Sequence, residues 1–63
     1  MPKLVDAMPG DRFYFESNTY NIFTLLGYKT NRSSKIVSCK CFQEGKVHPV
    51  YFNAYKDIII IKK

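Results

Sequence analysis

Hydrophobic and polar positions alternate along most of this chain with the two-residue period of β-strands, and no segment sustains a helical period over two turns. Residues 12–16, RFYFE, set Phe13 and Phe15 on one face and Tyr14 on the other, directly after the turn signal Pro9-Gly10-Asp11. They predict a first strand. Ser17, Asn18 and Thr19 predict the turn that follows. Residues 20–30, YNIFTLLGYKT, place Tyr20, Ile22, Thr24 and Leu26 on one side and Asn21, Phe23 and Leu25 on the other. A strand apolar on both faces is a long, central one, and Gly27 is where it is expected to bend or bulge.

The polar loop NRSS at 31–34 has no apolar anchor and leads to a third strand, KIVSCKCF at 35–42. Its Val37, Cys39 and Cys41 are expected inward, with Ser38 and Lys40 outward. QEGK at 43–46 predicts a hairpin turn in which Gly45 supplies a positive φ. VHPVYFN at 47–53 predicts a fourth strand, where Pro49 marks an edge or a bulge because it cannot donate to a ladder. Residues 54–57 are too few for a regular helix and predict one helical turn before a β-branched last strand, IIIIKK at 58–63. LVDAM at 4–8 has room only for a brief coil before Pro9.

A chain of 63 residues holds one hydrophobic core and buries only about 60 % of the surface its unfolded form exposes. Its composition, 46 % hydrophobic and 16 % aromatic, is nevertheless that of an ordered domain. The expectation is a single all-β domain over residues 1–63, with 1–9 as an N-terminal arm. The phenylalanines together with Ile22, Val37, Val50, Ile58 and Ile60 suffice to fill its core.

The order of short strand, loop, long bent strand, polar loop, third strand, hairpin, fourth strand, helical turn and short last strand resembles the layout of SH3-like small β-barrels over residues 10–62. The resemblance lies in segment lengths and implies a five-stranded antiparallel barrel with one short helical turn before the last strand. PGDRFYF followed by TYNIFTLL is similar to small bacteriophage-encoded proteins in which a Pro-Gly-Asp turn precedes a first aromatic strand. The proline-binding groove of signalling SH3 domains is not implied, because that groove is centred on a Trp and this chain has none. Small barrels host many unrelated activities, so function has to be argued from the side chains.

Those side chains argue against catalysis. Asp6, Asp11, Glu16, Glu44 and Asp57 stand in or beside turns without a close pair, which leaves a two-carboxylate hydrolase unsupported. Across the predicted hairpin Cys41 and His48 form a conceivable nucleophile pair, but no third orienting group or oxyanion donor accompanies them. No glycine-rich phosphate loop is present. Cys39 and Cys41 share a strand face roughly 6.6 Å apart along the strand, an awkward geometry for a mutual disulfide, and are expected as free buried thiols. Zinc would want about four ligands, and His48 is the one histidine in the chain. The expectation is a non-enzymatic protein with no metal and no cofactor.

MPKLVDAMPG lacks the apolar run of a secretory signal, and the longest aliphatic run, 58–61, is far below the roughly 20 residues that cross a bilayer. The chain reads as soluble and cytoplasmic, in a host cell if it is viral, with no membrane partner. The sequon Asn31-Arg32-Ser33 is then idle.

Charge and surface rings remain. Ten Lys and Arg against five Asp and Glu give a net charge of +5. Lys29, Arg32, Lys35, Lys40 and Lys46 fall along the polar loop, the third strand and the hairpin, and Lys56, Lys62 and Lys63 near the end. A groove lined by Arg32, Lys35, Lys40 and Lys46, with Tyr28 as a stacking ring, points to weak nucleic-acid binding with little sequence preference. The plainer alternative is that the lysines keep a small apolar protein soluble and blunt its edge strands. Tyr14, Tyr51 and Tyr55 are also expected at the surface, and they point to a different function: a protein-interaction module, a modulator of a host protein. Tyr20 suits either a core or a surface role. A homodimer through an edge strand, with 58–61 exposed, is compatible with both functions.

Overall fold

A computed structural model describes residues 1–61 and gives a short 3-10 turn, Leu4–Asp6, followed by five strands. These are β1 (Arg12–Phe15), β2 (Asn18–Thr30), β3 (Ile36–Gln43), β4 (Val50–Asn53) and β5 (Ile59–Ile61). All pairings are antiparallel, in one sheet of order β4-β3-β2-β1-β5. The fold is therefore all-β, as the alternation predicts. The sheet is open, with β4 and β5 as its two edges, so the closed barrel expected from the segment lengths is not formed among the described residues.

The N-terminal segment is built into the core. Leu4 and Val5 donate their backbone N–H groups to the carbonyls of Lys56 (2.9 Å) and Ala54 (2.8 Å), and Ile58 donates to Pro2 (3.0 Å). Leu4 and Ala7 are fully buried against the sheet. Residues 1–9 thus form one wall of the core. This also relocates the expected helical turn. The Asp6 carboxylate accepts the Lys3 backbone N–H (3.0 Å) and steadies a 3-10 turn at Leu4–Asp6, whereas after β4 the chain makes a plain turn at Ala54 and Tyr55, the Ala54 and Lys56 carbonyls are engaged by the arm, and Asp57 pairs with Lys3 in an isolated β-bridge.

Bulges decide which residues face inward. Register runs from Leu25↔Cys41 to Gly27↔Lys40, leaving Leu26 as an extra residue on β2, and from Lys29↔Ser38 to Thr30↔Ile36, leaving Val37 as an extra residue on β3. Each extra residue reverses the alternation beyond it. Val37, expected inward, is therefore exposed, and Ile36 packs against the core in its place. Tyr28 lies opposite Cys39 on the inner face, while Gly27 lies opposite Lys40 on the outer one. A further register jump, from Phe13↔Phe23 to Phe15↔Asn18, loops out part of β2, so that Ile22 is half-buried and outside the core cluster and Tyr20 is 93 % exposed.

The core that results is aromatic at its centre. Phe13 stacks on Phe23 with ring centroids 5.6 Å apart, and Phe15 and Phe52 close the cluster edge-on at 4.9 Å from each other. Leu4, Leu25, Cys39, Cys41, Ala54 and Ile58 fill the remainder, with Val50 and Ile60 packed alongside. Both cysteines are free and fully buried. The turns follow their glycines: Gly10 after Pro9 has φ 97° and Gly45 has φ 87°. The β3–β4 connection is longer than predicted, because residues 47–49 stay off the ladder and β4 begins only at Val50, just past Pro49. Likewise β5 begins at Ile59, and Lys62 and Lys63 lie outside the described residues.

Candidate functional site

The outer face of the sheet collects what the core leaves out. Ladder partners share a face, so the row Tyr51–Lys40–Gly27 crosses β4, β3 and β2, with the row Asn53–Ser38–Lys29 beside it. On the other flank of Lys40 lies the row Phe42–Thr24–Arg12–Ile61, followed by the pair Tyr14 and Ile59. Ser38 is small enough for Lys29 to reach across it, and the Lys29 Nζ lies 5.7 Å from the centre of the Tyr51 ring. Phe42 is 38 % exposed and Tyr51 55 %, so both present open rings.

The charge around Tyr51 is of one sign, while the Arg12–Glu44 pair brings a carboxylate to the Phe42 row. No Asp or Glu occurs between Glu16 and Glu44, so β2, the loop after it and β3 carry Lys29, Arg32, Lys35 and Lys40 with no carboxylate. Most acids elsewhere are engaged: Asp11 accepts the Met8 N–H (2.9 Å), Glu44 pairs with Arg12 (2.9 Å) and Asp57 pairs with Lys3. The Lys3 ammonium, through its hydrogen bond first and its charge second, holds the Asp57 carboxyl below its ordinary value. Among the described residues no ion pair involves Lys29, Arg32, Lys35 or Lys40. The tip that carries Arg32 and Lys35 is ordered by Asn31, whose side-chain oxygen accepts the backbone N–H groups of Ser33 (2.8 Å) and Lys35 (3.1 Å).

The groove expected from Arg32, Lys35, Lys40 and Lys46 is therefore divided. Arg32 and Lys35 stand at the loop before β3, Lys40 on its outer face, and Lys46 in the connection past its far end, roughly 23 Å away at strand rise. Tyr28, expected as a stacking ring, faces inward, and its hydroxyl donates to the Ala7 carbonyl. Burial, with Cys39 and Asp11 as lesser causes, raises its pKa above the ordinary tyrosine value. Tyr14 and Tyr51 do share the outer face, at opposite sides of it, while the exposed Tyr55 sits in the turn after β4. Lys29, Phe42 and Gly27 were not singled out for the site by the alternation. The signal that could have found them is the acid-free run from 17 to 43.

Chemistry by thiols is disfavoured. Burial raises the Cys39 pKa, and burial followed by the neighbouring Cys39 pushes Cys41 up to about 12, so both are neutral near pH 7. The Cys41 thiol donates to the Cys39 carbonyl inside the core, whereas His48 is exposed in the β3–β4 connection, so the pair imagined across the hairpin is not assembled. Among the described residues no three His, Cys, Asp or Glu side chains converge as metal ligands, and no helix is long and apolar enough to cross a membrane.

What the outer face can do is bind an anion that also carries flat apolar groups. An exposed cation–π contact such as Lys29 on Tyr51 is worth about 0.5–1 kcal/mol, less than the roughly 1–3 kcal/mol of a base stacked on an aromatic ring. A base can therefore displace the ammonium from the ring and leave it free for a phosphate. Comparison with protein-family models, with curated proteins and with solved structures returned no match to this chain.

Proposed function

We propose that this protein is a small basic binding module that takes nucleic acid weakly, with little sequence preference, on the outer face of its sheet. Lys29, Lys40, Arg32 and Lys35 engage phosphates, and Tyr51 and Phe42 offer ring faces. The observation that carries this reading is the placement of Lys29, Lys40 and Tyr51 in one patch of a β2–β3 hairpin that has no carboxylate. Counterion release from about four phosphates drives such binding, so the affinity depends steeply on salt. The strand order, with β1 between β2 and β5 and a long bulged β2, supports an SH3-like partial barrel in which the N-terminal segment takes up the open side.

A second reading draws on a different observation. Leu26, Val37 and Phe42 are apolar yet 47 %, 39 % and 38 % exposed, a composition that suits a protein partner. One titration separates the two. Fluorescence anisotropy of a labelled oligonucleotide, repeated at rising salt, is expected to give a log–log slope of about −3 to −4. Absence of any complex at low salt would sink the nucleic-acid reading and leave the protein-partner one.

A further inference from the structure

We infer that the ligand of the outer face is single-stranded nucleic acid, with one unpaired base lying over the bare backbone at Gly27 against the stem of Lys40. The inference rests on the nucleic-acid reading above and narrows it to one class of ligand.

Gly27 is the point of departure because, although it follows the bulge at Leu26, neither its φ nor the space around it requires a glycine. The positive-φ glycines are Gly10 and Gly45, so the Gly27 backbone lies outside the left-handed region that favours glycine. A Cβ built on it meets no atom within 4 Å. Glycine inside a strand forgoes side-chain packing and stiffness, and it recurs at bulges, as here, and where a ligand approaches the backbone closely. The gap it leaves opens onto the outer face, opposite Lys40 and in line with Tyr51.

The row Tyr51–Lys40–Gly27 spans two strand spacings, about 10 Å. Its floor at Gly27 is at backbone level, its middle is the aliphatic stem and ammonium of Lys40, and its far end is the Tyr51 ring. A base on the floor packs flat against backbone and lysine stem, its phosphate falls beside Lys40 or Lys29, and the next base meets Tyr51. A duplex keeps its base faces stacked inside and offers its phosphates to the projecting lysines alone. The open backbone at Gly27 therefore favours an unpaired strand.

The test is anisotropy at low salt with a labelled oligothymidine and, in parallel, a blunt duplex, on the wild-type protein, Gly27→Val and Gly27→Ala. Melting is followed on each. Valine suits a strand, so the melting temperature of Gly27→Val should hold or rise. The wild type is expected to bind the single strand about tenfold tighter than the duplex, and Gly27→Val to lose about that tenfold on the single strand and nothing on the duplex. Gly27→Ala, which adds only the Cβ for which space is open, should lose about threefold and serves as the reading if valine unfolds the protein. Equal affinity for the two ligands, or single-strand affinity unmoved in the folded glycine variants, overturns the inference while leaving a nucleic-acid module in place. Binding of neither ligand by the wild type removes the module itself.

Discussion

Cys39 and Lys40 are neighbours on β3, and they belong to two different surfaces. Cys39 faces inward among Phe52, Tyr28 and the N-terminal segment, fully buried, and Lys40 faces outward between Tyr51 and Gly27 with no partner in an ion pair among the described residues. The inner face uses one-residue bulges, a four-ring cluster and an arm to exclude water. The outer face, built from the same strands, keeps aromatic rings uncovered beside like charges. A chain this short has little stability in reserve, and open rings whose one contact with a cation is exposed add at most about 1 kcal/mol to it. The difference between the faces separates what the fold requires from what is left for a ligand.

The comparison breaks most visibly at equivalent phenylalanines. Phe23→Ala removes the ring that touches Phe13, Phe15 and Phe52, at a cost of about 3–5 kcal/mol, against a total stability of roughly 3–9 kcal/mol for a domain of this length. Urea denaturation should find that variant largely unfolded. Phe42→Ala on the outer face should stay within about 1 kcal/mol of the wild type. Equal losses would mean that the outer face is as structural as the inner one.

Next in size is the response of the core thiols to alkali. Cys41 is held neutral by burial up to about pH 12, while in the unfolded chain it ionises near its ordinary value of 9.0. Above that ordinary value the unfolded state binds fewer protons than the folded one, so stability falls as pH rises, by roughly 2 kcal/mol at about pH 10.5. Denaturant midpoints across that window should show the fall, and Cys41→Ala should lessen it, leaving the part contributed by Cys39 and Tyr28. Alkylation of the two thiols should proceed no faster than global unfolding. Rapid labelling of the native protein at pH 8 would contradict their burial.

On the outer face the largest expected effect is in binding. Lys40→Glu should weaken oligonucleotide binding about tenfold at low salt and reduce the magnitude of the salt slope by about 1, with the melting temperature nearly unchanged. Lys46→Glu, at the far end of β3, should do much less. If the two variants weaken binding equally, the lysines act as a diffuse charge and not as a patch.

How much of this was legible beforehand depends on the bulges. The two-residue alternation of Phe13, Phe15, Phe23, Cys39 and Cys41 reads directly as an inner face, and Pro9-Gly10 and Gly45 read as turns. Gly27 marks where β2 bulges but not that the extra residue turns Tyr28 inward, and nothing in the local hydrophobic pattern marks the extra residue on β3 that turns Val37 outward. The role of residues 1–9 was hidden for a related reason: Leu4 and Ala7 become core only through backbone bonds to 54–58, a contact across nearly the whole chain. The patch was half visible. The lysines announce themselves by charge, but Lys29 joins Lys40 and Tyr51 only once the Gly27 bulge fixes its side of the sheet.

Tyr28 tests the border between the two faces, and it should give the smallest effect. Its ring is 37 % exposed, yet its hydroxyl donates to the Ala7 carbonyl and so ties the N-terminal wall to β2. Tyr28→Phe keeps the ring and removes that bond, at a cost of about 0.5–1 kcal/mol near pH 7. The folded state raises the tyrosine pKa, chiefly by burial, so the stabilisation is complete below the unfolded value of 10.0 and is lost as pH rises through the folded one. The gap between wild type and variant should therefore close in alkali when both are unfolded by urea side by side. Oligonucleotide affinity should not change. A loss of binding without a loss of stability would instead move Tyr28 to the ligand side, and the division between the two faces would have to be redrawn at β2.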